Sequence, residues 1–157
     1  MADVLGVVTY NTLRVTAGMS VTDVSDDQIE ALNLDMEVEI DLETWIPEFQ
    51  QVLDESWPEP KSGALQFVKK RLIAYTKYYS TALLCKAAPG LMLRRLSDGE
   101  NIAERFQNVN PADLTDAYIA KANEFKNMIL EHLDPPFEQA STLFTVVKPN
   151  YDPVTGD

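Results

Sequence analysis

The chain has 157 residues, enough for one domain with a buried core, and 45% of them are hydrophobic, which argues against general disorder. Its net charge of −12 argues against binding of free nucleic acid as its main activity. The single cysteine, Cys85, excludes an internal disulfide and favours a reducing compartment.

No membrane or export segment is predicted. Residues 1–15 lack a basic region followed by an apolar core, so we expect no signal peptide. The longest apolar runs are a few residues, whereas a membrane-spanning helix needs roughly 20. We therefore expect no membrane partner.

Charge is distributed unevenly along the chain. Residues 1–59 hold 1 basic and 14 acidic side chains, residues 60–107 hold 9 and 3, and residues 108–157 hold 3 and 8. The acidic flank and the basic middle can pair within one fold. They can equally pair between neighbouring copies, as in a head-to-tail ring.

The first 20 residues predict an extended N-terminal arm. Val4, Val7 and Thr9 alternate with other residues, and β-branched side chains favour extended structure. A lone hairpin is marginal in water, so we expect this arm to be ordered by packing on something else. Gly18 marks its end.

A helix is predicted to begin at Ser25, because Ser25 and Gln28 have the spacing of a capping box. Pro47 predicts a break near Trp45–Pro47, after which the pattern resumes. The predicted apolar stripe of this region contains Ile29, Leu32, Met36 and Ile40, followed by Phe49, Val52 and Leu53.

The longest predicted helix runs from Gly63 to Ala88 and ends at Pro89-Gly90. A last helix is predicted from Asn110-Pro111 to Leu133. Its apolar stripe comprises Leu114, Tyr118, Phe125, Ile129 and Leu133. The fold class is therefore mainly α. We expect a small bundle of about four helices over residues 21–133, with an extended N-terminal arm (1–20) and a long extended C-terminal tail (134–157).

No catalytic, cofactor or metal site is predicted, so we expect no enzyme. One histidine (His132) and one cysteine (Cys85) cannot form a zinc site alone. The carboxylates of residues 23–59 are interpreted as solvated charges on helix faces. An enzyme whose site is completed by a partner or cofactor is the third-ranked alternative.

Four basic residues of the long helix are candidates for contact with a neighbouring copy or with DNA in a channel: Lys69, Lys70, Arg71 and Lys77. A solvated or salt-bridged face is the alternative interpretation. The tyrosines Tyr75, Tyr78 and Tyr79 resemble a stacking platform for single-stranded nucleic acid, but Tyr75 and Tyr79 lie on the apolar stripe, which favours a place in the core for these two.

The tail contains a run that is apolar on both faces, which is hazardous in water and favours docking on a partner. Folding back on its own domain, with pairing to the N-terminal arm, is the alternative. The candidate docking residues are Leu143, Phe144, Val146 and Val147.

The order of these elements resembles the head–tail connector (adaptor) proteins of tailed bacteriophages. The segments that carry the resemblance are the capped start Val24–Ile29, the spine Tyr75–Ala88, the turn Leu96–Asn101, the capped last helix and the C-terminal extension. They cover about residues 20–133 as architecture.

The resemblance implies a structural virion protein. Its copies would form a ring in the neck of the particle, around the DNA channel, after assembly from the host cytoplasm. The partners implied are other copies of itself, the portal protein and a tail or head-closure protein. The alternative function is an acidic helical protein-binding module whose C-terminal strand docks on a partner.

Overall fold

A computed structural model describes residues 3–58, 61–96 and 111–133 of the chain. These residues form a mainly helical bundle, as predicted, with one two-stranded sheet. The described residues between 21 and 133 hold five α-helices, where about four were expected, and a further helix lies in the predicted N-terminal arm. The elements are β1 (Asp3–Val4), β2 (Val8–Thr9), α1 (Tyr10–Ala17), α2 (Asp26–Glu30), α3 (Leu34–Trp45), α4 (Phe49–Leu53), a 3-10 turn (Lys61–Ala64), α5 (Leu65–Leu96) and α6 (Pro111–Leu133).

The predicted N-terminal arm is extended only over β1 and β2, which pair antiparallel with Val4 opposite Val8. Residues 10–17 are helical instead. The Thr9 hydroxyl accepts a hydrogen bond from Thr12 N at 3.2 Å, which caps the start of α1. Gly18 ends the helix with a φ of 71°, a conformation that glycine adopts without strain.

Packing against the rest of the bundle explains why α1 is a helix. Tyr10, Leu13 and Ala17 have helical spacing, and all three are buried in the common core. Arg14 of α1 is also buried, and its Nη1 lies 2.6 Å from Asp26 Oδ1. The partner that orders the N-terminal segment is therefore the chain's own bundle, because tertiary burial overrides local strand preference.

The capping box at Ser25 is confirmed: Ser25 N donates to Gln28 Oε1 at 2.9 Å, and Gln28 N donates to Ser25 Oγ at 3.3 Å. The break at Pro47 is also confirmed, since α3 ends at Trp45 and α4 begins at Phe49. A second break, at Asn33 with a φ of 49°, separates α2 from α3 and was not predicted.

The prediction that Met36 and Ile40 lie on the core stripe is wrong. They are 54% and 56% exposed, and the core positions of α3 are Leu34, Val38 and Leu42. The physical reason is the break at Asn33, because a stripe counted through a continuous helix from Ile29 loses its register where the helix is interrupted.

The long helix α5 continues through Pro89 to Leu96, so the predicted end at Pro89-Gly90 is wrong. Its 32 residues correspond to about 48 Å. Proline removes one backbone donor and leaves the Cys85 carbonyl without its usual partner. Pro89 itself is exposed, so its ring takes no space in the core, and the helix continues past it.

The last helix, α6, packs antiparallel on α5 with the predicted stripe inward. The antiparallel direction follows from two ring contacts: His132 stacks on Phe67 at 4.2 Å, whereas Tyr118 lies 6.3 Å from Tyr78. The Tyr118 hydroxyl also donates to the Thr16 carbonyl at 2.5 Å, which ties α6 to α1. The predicted C-terminal tail (134–157) lies outside the described residues.

Candidate interaction surfaces

The side of α3 that points away from the core carries two exposed apolar side chains between carboxylates. Met36 and Ile40 are one helical turn apart, Glu43 follows on the same stripe, and Glu37 lies one turn before Ile40. All four are exposed. We call Met36, Ile40 and Glu43, together with Glu37 at the edge nearest α5, the outer face of α3.

The rotation of α3 about its axis is fixed by a polar cluster on its inner side. Asp41 accepts hydrogen bonds from the Tyr75 hydroxyl of α5 and from Trp45 Nε1, the latter at 2.8 Å. The Trp45 and Tyr75 rings meet edge to face at 5.0 Å, and Lys126 Nζ of α6 lies 5.0 Å from the Trp45 ring centroid. Because Asp41 is held inward, Met36 and Ile40 face outward.

The same cluster is shielded from water, and this raises the pKa of its tyrosines. Burial is the main cause at Tyr75, and the adjacent Asp41 carboxylate adds to it. Burial also raises the pKa of Tyr79, with contributions from the negative charges of Asp41 and Glu37. Tyr75 and Tyr79 stack on each other at 5.6 Å. Tyr75 is therefore a core residue rather than an exposed base-stacking platform.

The four basic residues singled out on α5 do not form one patch. Lys69 turns towards α4, where its Nζ donates to the Leu53 carbonyl at 2.8 Å and to Glu55 Oε1 at 2.7 Å. The hydrogen bond from Lys69, together with its positive charge, lowers the pKa of the Glu55 carboxyl group. Lys69 thus caps the C-terminal end of α4, because a cation at a helix C-terminus satisfies free carbonyl groups.

Arg71 also makes its contacts within its own chain. Its guanidinium carbon lies 3.3 Å from the centre of the Phe67 ring, and Nη1 donates to the Phe67 carbonyl at 3.3 Å. Lys77 is half-buried with its Nζ 4.3 Å from the Tyr78 ring, and Lys70 is exposed. Lys70 and Lys77 are seven residues apart and share one side of α5. We call these two lysines the basic face of α5.

The outer face of α3 and the basic face of α5 point in opposite directions. Tyr75 and Tyr79 mark the side of α5 that packs on α3. Lys77 is two positions from each of them, which is a rotation of about 200° around the helix. The bundle therefore presents an acidic surface with an apolar centre on one side and lysines on the other.

A nucleophilic pair between Cys85 and His132 is excluded by position. His132 stacks on Phe67, and Cys85 lies eighteen residues further along α5, about 27 Å away. Cys85 is buried, which raises the pKa of its thiol to about 11. Within the three described ranges, no cluster of His, Cys, Asp or Glu side chains is arranged to hold a metal ion.

Met36 and Ile40 are the candidate contact residues that the sequence pattern missed. The available signal was Asn33, since asparagine tolerates the left-handed conformation that interrupts helices.

The predicted docking residues Leu143, Phe144, Val146 and Val147 lie outside the described residues. None of the helices described is both long and apolar enough to span a membrane. No family model, curated protein or solved structure matches the chain in comparisons with known proteins.

Proposed function

We propose that the chain is a structural virion protein, one subunit of a head–tail connector ring that joins the portal of a tailed bacteriophage to a tail or head-closure protein around the DNA channel. The observation that carries the proposal is the pair of opposed surfaces. A surface that meets a different surface of the next copy generates a ring when the rotation closes.

The exposed Met36 and Ile40 argue for a protein contact at the outer face of α3. Two adjacent apolar side chains that are each more than half exposed gain free energy when a partner removes them from water. The flanking Glu37 and Glu43 repel DNA phosphates and attract lysines. This face therefore suits a contact between copies better than a lining of the DNA channel.

The basic face of α5 supplies the complementary charge. Lys70 and Lys77 can meet Glu43 and Glu37 of the next subunit, while their long aliphatic stems cover Met36 and Ile40. Lys69 and Arg71 are already engaged within their own subunit, so the proposal places the inter-subunit contact on Lys70 and Lys77. DNA passing through the channel is the other candidate neighbour of these two lysines.

A charge-swap experiment tests the interface. E37K/E43K makes both surfaces basic and K70E/K77E makes both acidic, so each variant alone should fail to assemble. An equimolar mixture should associate into oligomers with equal numbers of the two variants, because each variant then meets its complement. The masses of the assemblies formed by each variant and by the mixture are measured by native mass spectrometry at low and high salt. D116K/E131K, which changes exposed acids on α6, should assemble like the wild type. A mixture that behaves like either variant alone contradicts this interface.

The virion role has its own test, mass spectrometry of purified phage particles from the source. The copy number should equal one ring, far below the number of major capsid proteins. Absence from the particle refutes the connector role.

A second candidate function is an acidic helical module that binds another protein. The same outer face of α3 favours it, because a cationic amphipathic helix would fit Met36 and Ile40 equally well. Two results together would support the module over the ring. The chain would stay monomeric at every salt concentration, and it would bind such a helix at this face.

A further inference from the structure

A groove lies between the tip of the N-terminal hairpin and α4. It has a volume of about 280 Å³ and is lined by Leu5, Glu39, Phe49, Gln50, Leu53 and Asp54. Its lining is mixed: Leu5, Phe49 and Leu53 are apolar, Gln50 is polar, and Glu39 and Asp54 are carboxylates. An engineered cavity of about 150 Å³ holds benzene, so this groove has room for an aromatic side chain and a smaller neighbour.

The hairpin tip is held in a strained conformation that places Leu5 at this groove. Leu5 and Gly6 have φ values of 52° and 67°, and Val7 N donates to the Val4 carbonyl across the turn. Leucine rarely adopts a positive φ, and turns of this kind favour asparagine or glycine at that position. Leu5 N donates to Asp35 Oδ1 at 2.7 Å, which anchors the tip to α3.

The C-terminal tail leaves the bundle at the same end as the groove. His132, next to the end of α6, stacks on Phe67 in the first turn of α5. Lys69, half a turn further along α5, contacts Leu53 and Glu55 at the end of α4. Nine residues, 134–142, separate Leu133 from the apolar run of the tail, and they can extend over about 30 Å.

The composition of the tail complements the groove. Its apolar run contains Phe144, and Lys148 follows that run directly. Lys148 is the only basic residue after Leu133. A segment of this composition can place an aromatic ring against the partly exposed Leu5 and Leu53 and bring its cation to Asp54 and Glu39.

We propose that the segment Leu143–Lys148 of the chain's own tail docks in this groove, with Phe144 against Leu5 and Leu53 and Lys148 beside Asp54 and Glu39. The groove thereby removes Phe144, the largest apolar side chain of the aggregation-prone run, from water in the free chain. The inference does not depend on ring formation, because it concerns the isolated chain.

The experiment uses the full chain and two matched tail variants, Phe144→Ala and Phe137→Ala. Methyl resonances of Leu5 and Leu53 are recorded by NMR, because a docked aromatic ring shifts them. We expect F144A to move both resonances and F137A to leave them in place. Unchanged Leu5 and Leu53 resonances in F144A overturn the proposal.

A groove variant tests the same contact from the other side without touching the core. Asp54 is exposed, so Asp54→Lys reverses its charge while keeping the fold. Hydrogen exchange of amides 143–147 should become about tenfold faster in D54K than in the wild type. Equal exchange in both proteins contradicts the contact. Methyl shifts that appear only at concentrations where the mass is that of a dimer also overturn it, because the occupant is then a second copy.

Discussion

The Tyr75 hydroxyl on α5 donates a hydrogen bond to the Asp41 carboxylate on α3, and Trp45 Nε1 donates to the same oxygen atom. Two donors from different helices thus converge on one acceptor. This arrangement fixes the rotation of α3 and turns Met36 and Ile40 outward. The polar cluster inside the bundle therefore determines which side chains are available on the surface.

Replacing Asp41 by alanine should destabilise the protein by about 2–3 kcal/mol, because it leaves a buried phenol and an indole N–H without their acceptor. Urea unfolding followed by far-UV circular dichroism measures the free energy. The matched control is Glu43→Ala, an exposed carboxylate two residues further along α3, with an expected effect within about 0.5 kcal/mol. Equal effects of the two substitutions would show that the cluster contributes nothing.

Lys69 and Lys70 are adjacent in sequence but should respond differently to charge reversal. Lys69→Glu places a like charge beside Glu55 and removes a hydrogen bond to the Leu53 carbonyl, so the Tm of the monomer should fall by about 2–5 °C. Lys70→Glu should leave Tm unchanged and weaken assembly in a salt-dependent way. Differential scanning fluorimetry and light scattering separate the two effects. A K70E protein that assembles normally at low salt argues against a contact at this lysine.

The stability of the fold should decrease in alkaline solution. Burial raises the pKa of Tyr10, Tyr75, Tyr79 and Tyr118, and it raises the pKa of Cys85 to about 11. These groups lose their protons more easily when the chain unfolds, so the unfolded state binds fewer protons in alkaline solution. The free energy of unfolding is therefore retained below about pH 8.5 and declines as pH rises through the range of the unfolded pKa values and above.

Urea midpoints at pH 8 and pH 11 measure this decline. Tyr75→Phe removes one of the groups that titrate, so the difference between its two midpoints should be smaller than in the wild type. A midpoint that is the same at pH 8 and pH 11 in the wild-type protein would contradict the prediction.

The parts of the fold that could be predicted from the sequence depend on local signals. The capping box of Ser25 and Gln28 determines where α2 begins, and Pro47 interrupts the chain through its missing donor. The apolar stripe of α6 was predicted correctly because no residue interrupts that helix between Pro111 and Leu133.

The parts that were not predicted depend on contacts between distant residues. Residues 10–17 are helical because Leu13 and Ala17 reach the core of the bundle, which no local preference reveals. The engagement of Lys69 with Glu55 requires α4 to end beside α5. Likewise, the outer face of α3 follows from an interruption at one asparagine and from the hydrogen bonds of Asp41, a residue 34 positions away from Tyr75.

The interruption at Asn33 can be tested by a pair of substitutions. Asn33 has a φ of 49°, and alanine keeps the Cβ but loses the short polar side chain with which asparagine tolerates the left-handed region, so alanine should destabilise the protein by about 1 kcal/mol. Glycine should have little effect or stabilise slightly, since it adopts that region freely. Urea unfolding gives both values. If alanine were tolerated as well as glycine, α2 and α3 could fuse into one helix. Met36 and Ile40 would then rotate away from the surface, and the basis for the outer face of α3 would be lost.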